Sequence, residues 1–77
     1  MKEKRVKLGK NIKAERIRIG MTIDEVSEKL GITSRQYSNY ESGHRIDGIT
    51  LFLLANIFKC NINAFYFKIN STESEIE

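Results

Sequence analysis

Two helix-start signals stand close together in the middle of the chain, Thr22-Ile23-Asp24-Glu25 and Thr33-Ser34-Arg35-Gln36. In each, a threonine hydroxyl can accept a hydrogen bond from the backbone N–H of the fourth residue, whose Glu or Gln side chain reaches back to the threonine N–H. Only Gly31 and Ile32 separate the end of the first predicted helix from the second signal. Because so short a turn fixes the angle between two helices, this feature constrains the fold more than any other.

The residues within this pair have the types that two closely packed helices need. Ser27 lies one turn before Gly31, where a larger side chain would push the second helix away. Apolar residues fall where the two helices must bury their inner faces: Val26, Leu30, Ile32, Tyr37 and Tyr40. The segment 23–39 therefore has the helix-turn-helix pattern.

The rest of the sequence also predicts helices. It contains no proline, and apolar residues recur at helical spacing along most of its length. A first helix is expected at about residues 6–19, ended by Gly20, and a fourth from its cap Asp47 to Phe58. Apolar positions almost surround the fourth helix, which predicts that it is the central, most buried one. A fifth helix is expected from near Asn61, so the sequence predicts a compact all-α fold of five helices.

The size and composition exclude several classes of protein. A chain of 77 residues buries one small core and has no room for a deep enzyme cleft. The single cysteine excludes an internal disulfide, and the single histidine excludes a catalytic dyad or a histidine-based metal site. We therefore expect no enzyme activity, no cofactor and no metal.

The sequence shows none of the signals of a membrane or exported protein. The longest apolar run, residues 51–55, is far shorter than a membrane span, and no apolar signal core follows the basic N-terminal residues. These features predict a soluble cytoplasmic protein that contacts no membrane.

Positive charge is concentrated in the first quarter of the chain. Residues 1–20 hold eight of the 13 Lys and Arg residues and two of the 10 acidic ones. Such a segment predicts a polyanionic partner, although a solvated lysine-rich helix would have the same composition. We interpret residues 1–6 as a basic N-terminal arm, which either follows DNA or is a solvated chain end, and residues 70–77 as an acidic flexible tail.

Four polar side chains form an outward stripe on the third helix. Ser34, Arg35, Ser38 and Asn39 occupy positions i, i+1, i+4 and i+5. In so charged a chain, a face that served only solubility would typically carry Lys and Glu. Arginine can pair with guanine through two hydrogen bonds, and asparagine can do the same with adenine. The stripe therefore predicts a surface that reads base edges in the DNA major groove.

With these features the chain resembles the Cro/repressor-type helix-turn-helix family, also called the XRE family. The resemblance extends over about residues 7–67, nearly the whole chain. The positions that carry it are Leu8, Gly9, Arg16, Gly20, Met21, Thr22, the run 26–33, the run 40–43, Leu54, Ala55, Phe58, Asn61 and Ile62. It implies a five-helix, lambda-repressor-like DNA-binding domain at residues 7–69.

The resemblance also implies a function. Members are sequence-specific transcriptional regulators, mostly bacterial or phage repressors, whose third helix, here about residues 33–42, enters the major groove. The resemblance implies a homodimer bound to double-stranded DNA at a palindromic operator.

Individual residues take roles from the same resemblance. Base reading falls to Ser34, Arg35 and Asn39, with Ser38 as a fourth. Phosphate contacts fall by this resemblance to Thr33, Ser42, Gly43, His44 and Arg45, and we add Lys10 and Thr22 as further candidates for phosphate contact. Arg16 and Glu41 match an ion pair that ties the first helix to the end of the third. Lys59 stands where the family usually has Gly or Asn, which implies backbone strain at that turn.

The aromatic run Phe65-Tyr66-Phe67 exceeds what a small core can bury. On a helix these residues span about 200° of arc, and Ile69 adds to the excess. We expect this surface to meet a second copy of the chain in an isologous homodimer. The expected dimer surface comprises Ile62, Phe65, Tyr66, Phe67 and Ile69. Because residues 65, 67 and 69 alternate, an extended arm that pairs across the dimer is the second arrangement.

An alternative function keeps the same fold without DNA binding. In that case the domain is a protein-interaction module, such as an antitoxin-like or anti-regulator partner, and the aromatic surface and acidic tail bind another protein. A small-molecule effector is not expected under either hypothesis, because so small a domain has little room for an effector pocket.

Overall fold

The computed structural model describes residues 2–67 and residue 69. Four α-helices, Lys2–Arg18 (α1), Ile23–Leu30 (α2), Ser34–Glu41 (α3) and Gly48–Phe58 (α4), are followed by a 3₁₀ segment at Ile62–Tyr66. The described part of the chain contains no strand, so the all-helical prediction is confirmed. The count of five helices is not confirmed, because a 3₁₀ segment occupies the place of the fifth.

Both predicted capping boxes are present and start α2 and α3. Thr22 Oγ1 accepts a hydrogen bond from the Glu25 N–H at 3.1 Å, and Glu25 Oε1 accepts one from the Thr22 N–H at 2.8 Å. Thr33 and Gln36 form the same pair of bonds at 3.0 and 3.1 Å. Between the helices Gly31 adopts a left-handed conformation with φ of 75°, which favours glycine. These bonds fix the geometry of the turn.

Helix α1 crosses the C-terminal end of α3 at very close range. A methyl group at Gly9 would lie 2.5 Å from the Glu41 carbonyl oxygen and 2.7 Å from that of Tyr40. No side chain larger than hydrogen fits between the two backbones at this crossing. Gly9 therefore sets the position of α3 relative to α1.

The core lies where all four α-helices and the 3₁₀ segment meet. Its buried residues are Ile12, Val26, Tyr37, Leu51, Leu54, Ala55, Phe58 and Phe65. Phe58 and Phe65 pack edge to face with their ring centres 6.1 Å apart. This packing joins the 3₁₀ segment to α4 within the core.

The burial of two residues corrects the predicted dimer surface. Phe65 exposes 0% of its surface and Ile69 exposes 6%, so neither side chain is available to a second subunit. The prediction was wrong for them because the chain turns after α4 and directs both side chains into the molecule. Ile62 is half-buried, and only Tyr66 and Phe67 of the predicted surface are exposed.

Helix α4 is not buried on all sides, which is a second correction. Asp47 caps it as predicted by accepting a hydrogen bond from the Thr50 N–H at 3.0 Å. Its inner face is buried, but Ile49, Phe52 and Leu53 are 73%, 59% and 44% exposed. The sequence pattern was misleading here, because these outer side chains have no covering element within the described residues.

Helix α1 begins at Lys2, which is earlier than the predicted start near Val6. Most of the segment interpreted as an arm therefore belongs to the first turns of α1. Its contact with DNA stays a prediction. The acidic tail predicted at residues 70–77 lies outside the described residues.

One side chain of α1 holds the 3₁₀ segment in place. The amide nitrogen Nδ2 of Asn11 donates hydrogen bonds to the carbonyl oxygens of Phe65 at 2.8 Å and Phe67 at 2.9 Å. In a continuing α-helix these carbonyls would accept from later backbone N–H groups. Before this segment, Lys59 has a positive φ of 55°, which confirms the strained turn expected there.

No helix in the described part of the chain combines the length and the apolar character needed to cross a membrane.

Candidate nucleic-acid interface

The four predicted base-reading residues lie together on α3, outside the core. Arg35 is exposed, whereas Ser34, Ser38 and Asn39 are half-buried. The opposite side of the helix carries Tyr37, which is completely buried. The side chains of the stripe therefore extend from a helix whose other face is fixed by the core.

Asp24 belongs to this surface, although the sequence analysis gave it no role there. The Ser34 hydroxyl donates a hydrogen bond to Asp24 Oδ1 across the turn between α2 and α3. A serine hydroxyl has one proton to donate and two lone pairs that accept. With its proton directed at Asp24, Ser34 presents only acceptor capacity to a partner. The sequence did contain one indication of this contact, because Asp24 and Ser34 both lie in the first turns of adjacent capped helices.

The hydroxyl groups among the predicted phosphate contacts also have partners in the protein. Thr33 Oγ1 donates to Gln36 Oε1 at 3.3 Å, and Ser42 Oγ donates to the Ser38 carbonyl at 3.2 Å. Thr22 Oγ1 accepts the capping bond from Glu25, which leaves its own proton for another acceptor. Thr22, Thr33 and Ser42 are all exposed at helix ends.

The loop after α3 uses its backbone amides to end the helix. The Gly43 N–H donates to the Tyr40 carbonyl at 3.2 Å, and the His44 N–H donates to the Asn39 carbonyl at 3.0 Å. The amide of Gly43, which was predicted to contact phosphate, is therefore already bound within the protein, whereas the side chains of His44 and Arg45 are both exposed. Lys10, the predicted phosphate contact on α1, is exposed as well.

The predicted ion pair between Arg16 and Glu41 is present and largely buried. Arg16 Nε lies 2.7 Å from Glu41 Oε2, and Arg16 Nη1 donates to the Met21 carbonyl at 2.9 Å. The Tyr37 hydroxyl donates to the same carboxylate oxygen. These bonds join α1, the turn before α2 and the last turn of α3.

The surroundings of this network shift two pKa values. The hydrogen bond to Glu41 raises the pKa of Arg16, which keeps the guanidinium charged. Burial, followed by the hydrogen bond to Glu41, raises the pKa of the Tyr37 phenol well above its ordinary value. Both groups therefore keep their protons across the neutral range.

Within residues 2–67 and 69, no three His, Cys, Asp or Glu side chains come together in an arrangement that could hold a metal ion. Cys60 is half-buried at the end of α4, and burial raises the pKa of its thiol.

Comparison with known proteins identifies one family. The sequence model of a family described as "Helix-turn-helix" matches residues 12–65. The match begins within α1, includes α2, α3 and α4, and ends in the 3₁₀ segment. No curated protein and no solved structure matches the chain.

Proposed function

Because the chain belongs to the Cro/repressor-type family of helix-turn-helix proteins, we propose that it is a sequence-specific DNA-binding transcriptional repressor that acts as a homodimer on a palindromic operator. The observation that carries this proposal is the stripe on α3, an outward row of short polar side chains and one arginine. The opposite side of the helix is held in place by the burial of Tyr37 and by the hydrogen bonds of Arg16 to Glu41. Rigid support of this kind lets side chains meet base edges in a defined register.

We assign base reading to all four residues of the stripe. Arg35 is the residue suited to guanine, since its guanidinium can donate to O6 and N7 together. Asn39 is suited to adenine through N6 and N7. Ser34, whose proton is committed to Asp24, should accept from the amino group of adenine or cytosine. Ser38 lies one turn after Ser34 and is a fourth contact.

Phosphate contacts position the stripe in the groove. Exposed groups surround α3 at the starts of α2 and α3 and in the loop that follows α3, and Lys10 adds one from α1. The set is Lys10, Thr22, Thr33, Ser42, His44 and Arg45. These contacts supply affinity and salt dependence without reading sequence.

We propose that the second copy of the chain packs against the outer face of α4. Ile49, Phe52 and Leu53 lie at positions i, i+3 and i+4 and form one apolar stripe that is open to solvent. Helix α4 has no charged residue at all, so like-charge repulsion does not oppose its pairing with an identical surface. Tyr66 and Phe67, after α4 in the chain, are exposed as well. The two recognition helices would then meet half-sites about 34 Å apart.

Selection of binding sites from random duplex DNA tests the proposal. We expect a palindromic consensus whose half-sites are one helical turn apart. Arg35→Ala should cost about 1–3 kcal/mol in binding and relax the preference at one base pair of each half-site. Lys29→Ala is the control, because Lys29 is exposed in the last turn of α2, at the other end of that helix from the predicted phosphate contact Thr22. Loss of affinity for all sequences alike in the Arg35 variant would make Arg35 a phosphate contact, and recovery of no consensus by the native protein would refute the function.

The exposed face of α4 also fits the protein-interaction alternative. If a different protein covers this face, a stable complex should form with that partner and should exclude DNA. Purification from the native host followed by mass spectrometry and DNA-binding assays separates the two functions. A partner that leaves DNA binding intact would count against the alternative.

A further inference from the structure

A concave basic site lies beside the loop that follows α3. A cavity of about 440 Å³ is lined by Arg5, Val6, Ser42, Gly43, His44 and Arg45. Two of these residues come from the first turns of α1 and four from the loop. Three of the six can carry positive charge, and none is acidic.

Direct packing of α1 on the loop forms this site. A methyl group at Gly43 would lie 3.1 Å from Val6 Cγ2 and 3.2 Å from Val6 Cα, so the loop backbone touches the helix. Gly43 also has a φ of 103°, a conformation that side chains other than glycine rarely adopt. The contact places Arg5 of α1 at the same cavity as His44 and Arg45 of the loop.

Within the described residues, no carboxylate neutralises the charge in this site. Among the described residues, the side chains of Arg5, His44 and Arg45 form no ion pair with a carboxylate. The nearby carboxylate of Glu41 is already bound by Arg16 and Tyr37. Cationic groups that converge without an acidic partner repel one another, and an anion bound between them removes that repulsion.

We propose that Arg5, together with His44 and Arg45, binds a phosphate group of the DNA backbone. The inference rests on the proposed function and extends it, since Arg5 precedes the region of the family match, which begins at residue 12. Two guanidinium groups can hold phosphate oxygens by charge-assisted hydrogen bonds. The first turns of α1 thus join the DNA-contacting surface, and the contact lies on the loop side of α3.

Salt dependence of DNA binding tests this site. Fluorescence anisotropy between 50 and 200 mM salt would compare the native protein with Arg5→Ala, Arg5→Lys and the charge-matched control Lys29→Ala. Lys29 lines a separate groove between α2 and α4. That groove and the basic cavity have no lining residue in common. We expect Arg5→Ala to lower the slope of log K against log salt by about 1 per subunit, with Arg5→Lys retaining most of it. The loss of affinity should then be larger at 50 mM than at 200 mM salt, by about fourfold for each subunit and about sixteenfold for the dimer.

The location of the contact is tested with neutral phosphates. Methylphosphonate groups placed one at a time along the selected operator should reveal one position per half-site where neutralisation costs less affinity once Arg5 is alanine, because only His44 and Arg45 then remain at that phosphate. Circular dichroism confirms that the variants are folded. Equal slopes for Arg5→Ala and Lys29→Ala would overturn the inference while leaving the proposed function intact, whereas a native protein that binds no duplex would overturn both.

Discussion

At the scale of single residues, side chains with several partners decide what the interface presents. Asp24 takes the proton of Ser34, and Glu41 takes two hydrogen bonds from Arg16 and one from Tyr37. The hydrogen bond to Asp24 limits Ser34 to accepting hydrogen bonds from DNA. The hydrogen bonds to Glu41 fix the last turn of α3 to α1.

Burial of Tyr37 makes the free energy of unfolding depend on pH in the alkaline range. Its pKa is raised in the folded protein, so the fold keeps a proton that the unfolded chain releases above about pH 10. The stabilisation is complete below pH 10 and is lost as the pH rises further, by up to about 1.4 kcal/mol per pH unit. Urea unfolding at pH 8 and pH 11 measures this loss.

Comparison with Tyr37→Phe isolates the contribution of the phenol. This variant loses the hydrogen bond to Glu41, which should cost about 1–2 kcal/mol at pH 8, but its stability should decline less between pH 8 and pH 11. Cys60, whose pKa is also raised, is present in both proteins and cancels in the difference. Tyr40→Phe is the control and should keep the native decline. An equal decline in native protein and Tyr37→Phe would contradict the assignment.

Much at the residue scale could be predicted from the sequence, because capping is local. The roles of Thr22, Thr33 and Asp47 follow from residues three positions away, and the structure confirms all three. The pair of Asp24 and Ser34 could not be derived in this way, since it depends on the angle between two helices. The Arg16–Glu41 pair was predicted only through the family resemblance.

At the scale of helices, Gly9 makes the close crossing of α1 and α3 possible. Gly9→Ala should destabilise the fold because the added methyl group would meet two backbone carbonyls that cannot rotate away. Overpacking of this kind costs about 1–3 kcal/mol, against which the better helix propensity of alanine returns about 1 kcal/mol. We expect net destabilisation in thermal or urea unfolding.

Gly48→Ala supplies the matched control for this prediction. Gly48 is the first residue of α4, and a methyl group there would meet nothing within 4 Å. The same substitution should therefore be neutral or stabilising by up to about 1 kcal/mol. Similar stability of the two variants would show that the crossing relaxes at no cost.

Helix ends that depend on distant partners were the hardest to predict. The 3₁₀ segment replaces the expected fifth helix, and its carbonyls are bound by Asn11, which is 54 residues from Phe65 in the chain. A pattern read along the sequence cannot register such a contact. The prediction that α4 is buried on all sides was wrong for another reason. A hydrophobicity pattern treats an apolar residue in the same way whether the residue is covered by its own chain or by a second subunit.

At the scale of the whole molecule, the outer face of α4 is the feature that the monomer leaves unexplained. Phe52→Glu should convert a dimer into a monomer, because it places a charge at the centre of the apolar stripe. Sedimentation velocity at tens of micromolar measures the change. Ile17→Glu is the matched control, since Ile17 lies on α1 and is 58% exposed against 59% for Phe52.

The two variants should separate assembly from folding. Both substitutions lie on exposed positions, so circular dichroism should show native helix content for each. We expect only Phe52→Glu to lose affinity for the full operator, because a monomer meets one half-site. A native protein that sediments as a monomer with and without DNA would rule out the dimer.

The amide of Asn11 has a consequence for the ageing of the protein. Asparagine side chains hydrolyse slowly in water, and the product is a carboxylate that can only accept hydrogen bonds at neutral pH. At this position the new carboxylate would face the carbonyl oxygens of Phe65 and Phe67, and two attractions would become repulsions. Deamidation of Asn11 would thus weaken the attachment of the 3₁₀ segment to α1, while the capped helices α2 and α3 keep every bond that forms their turn.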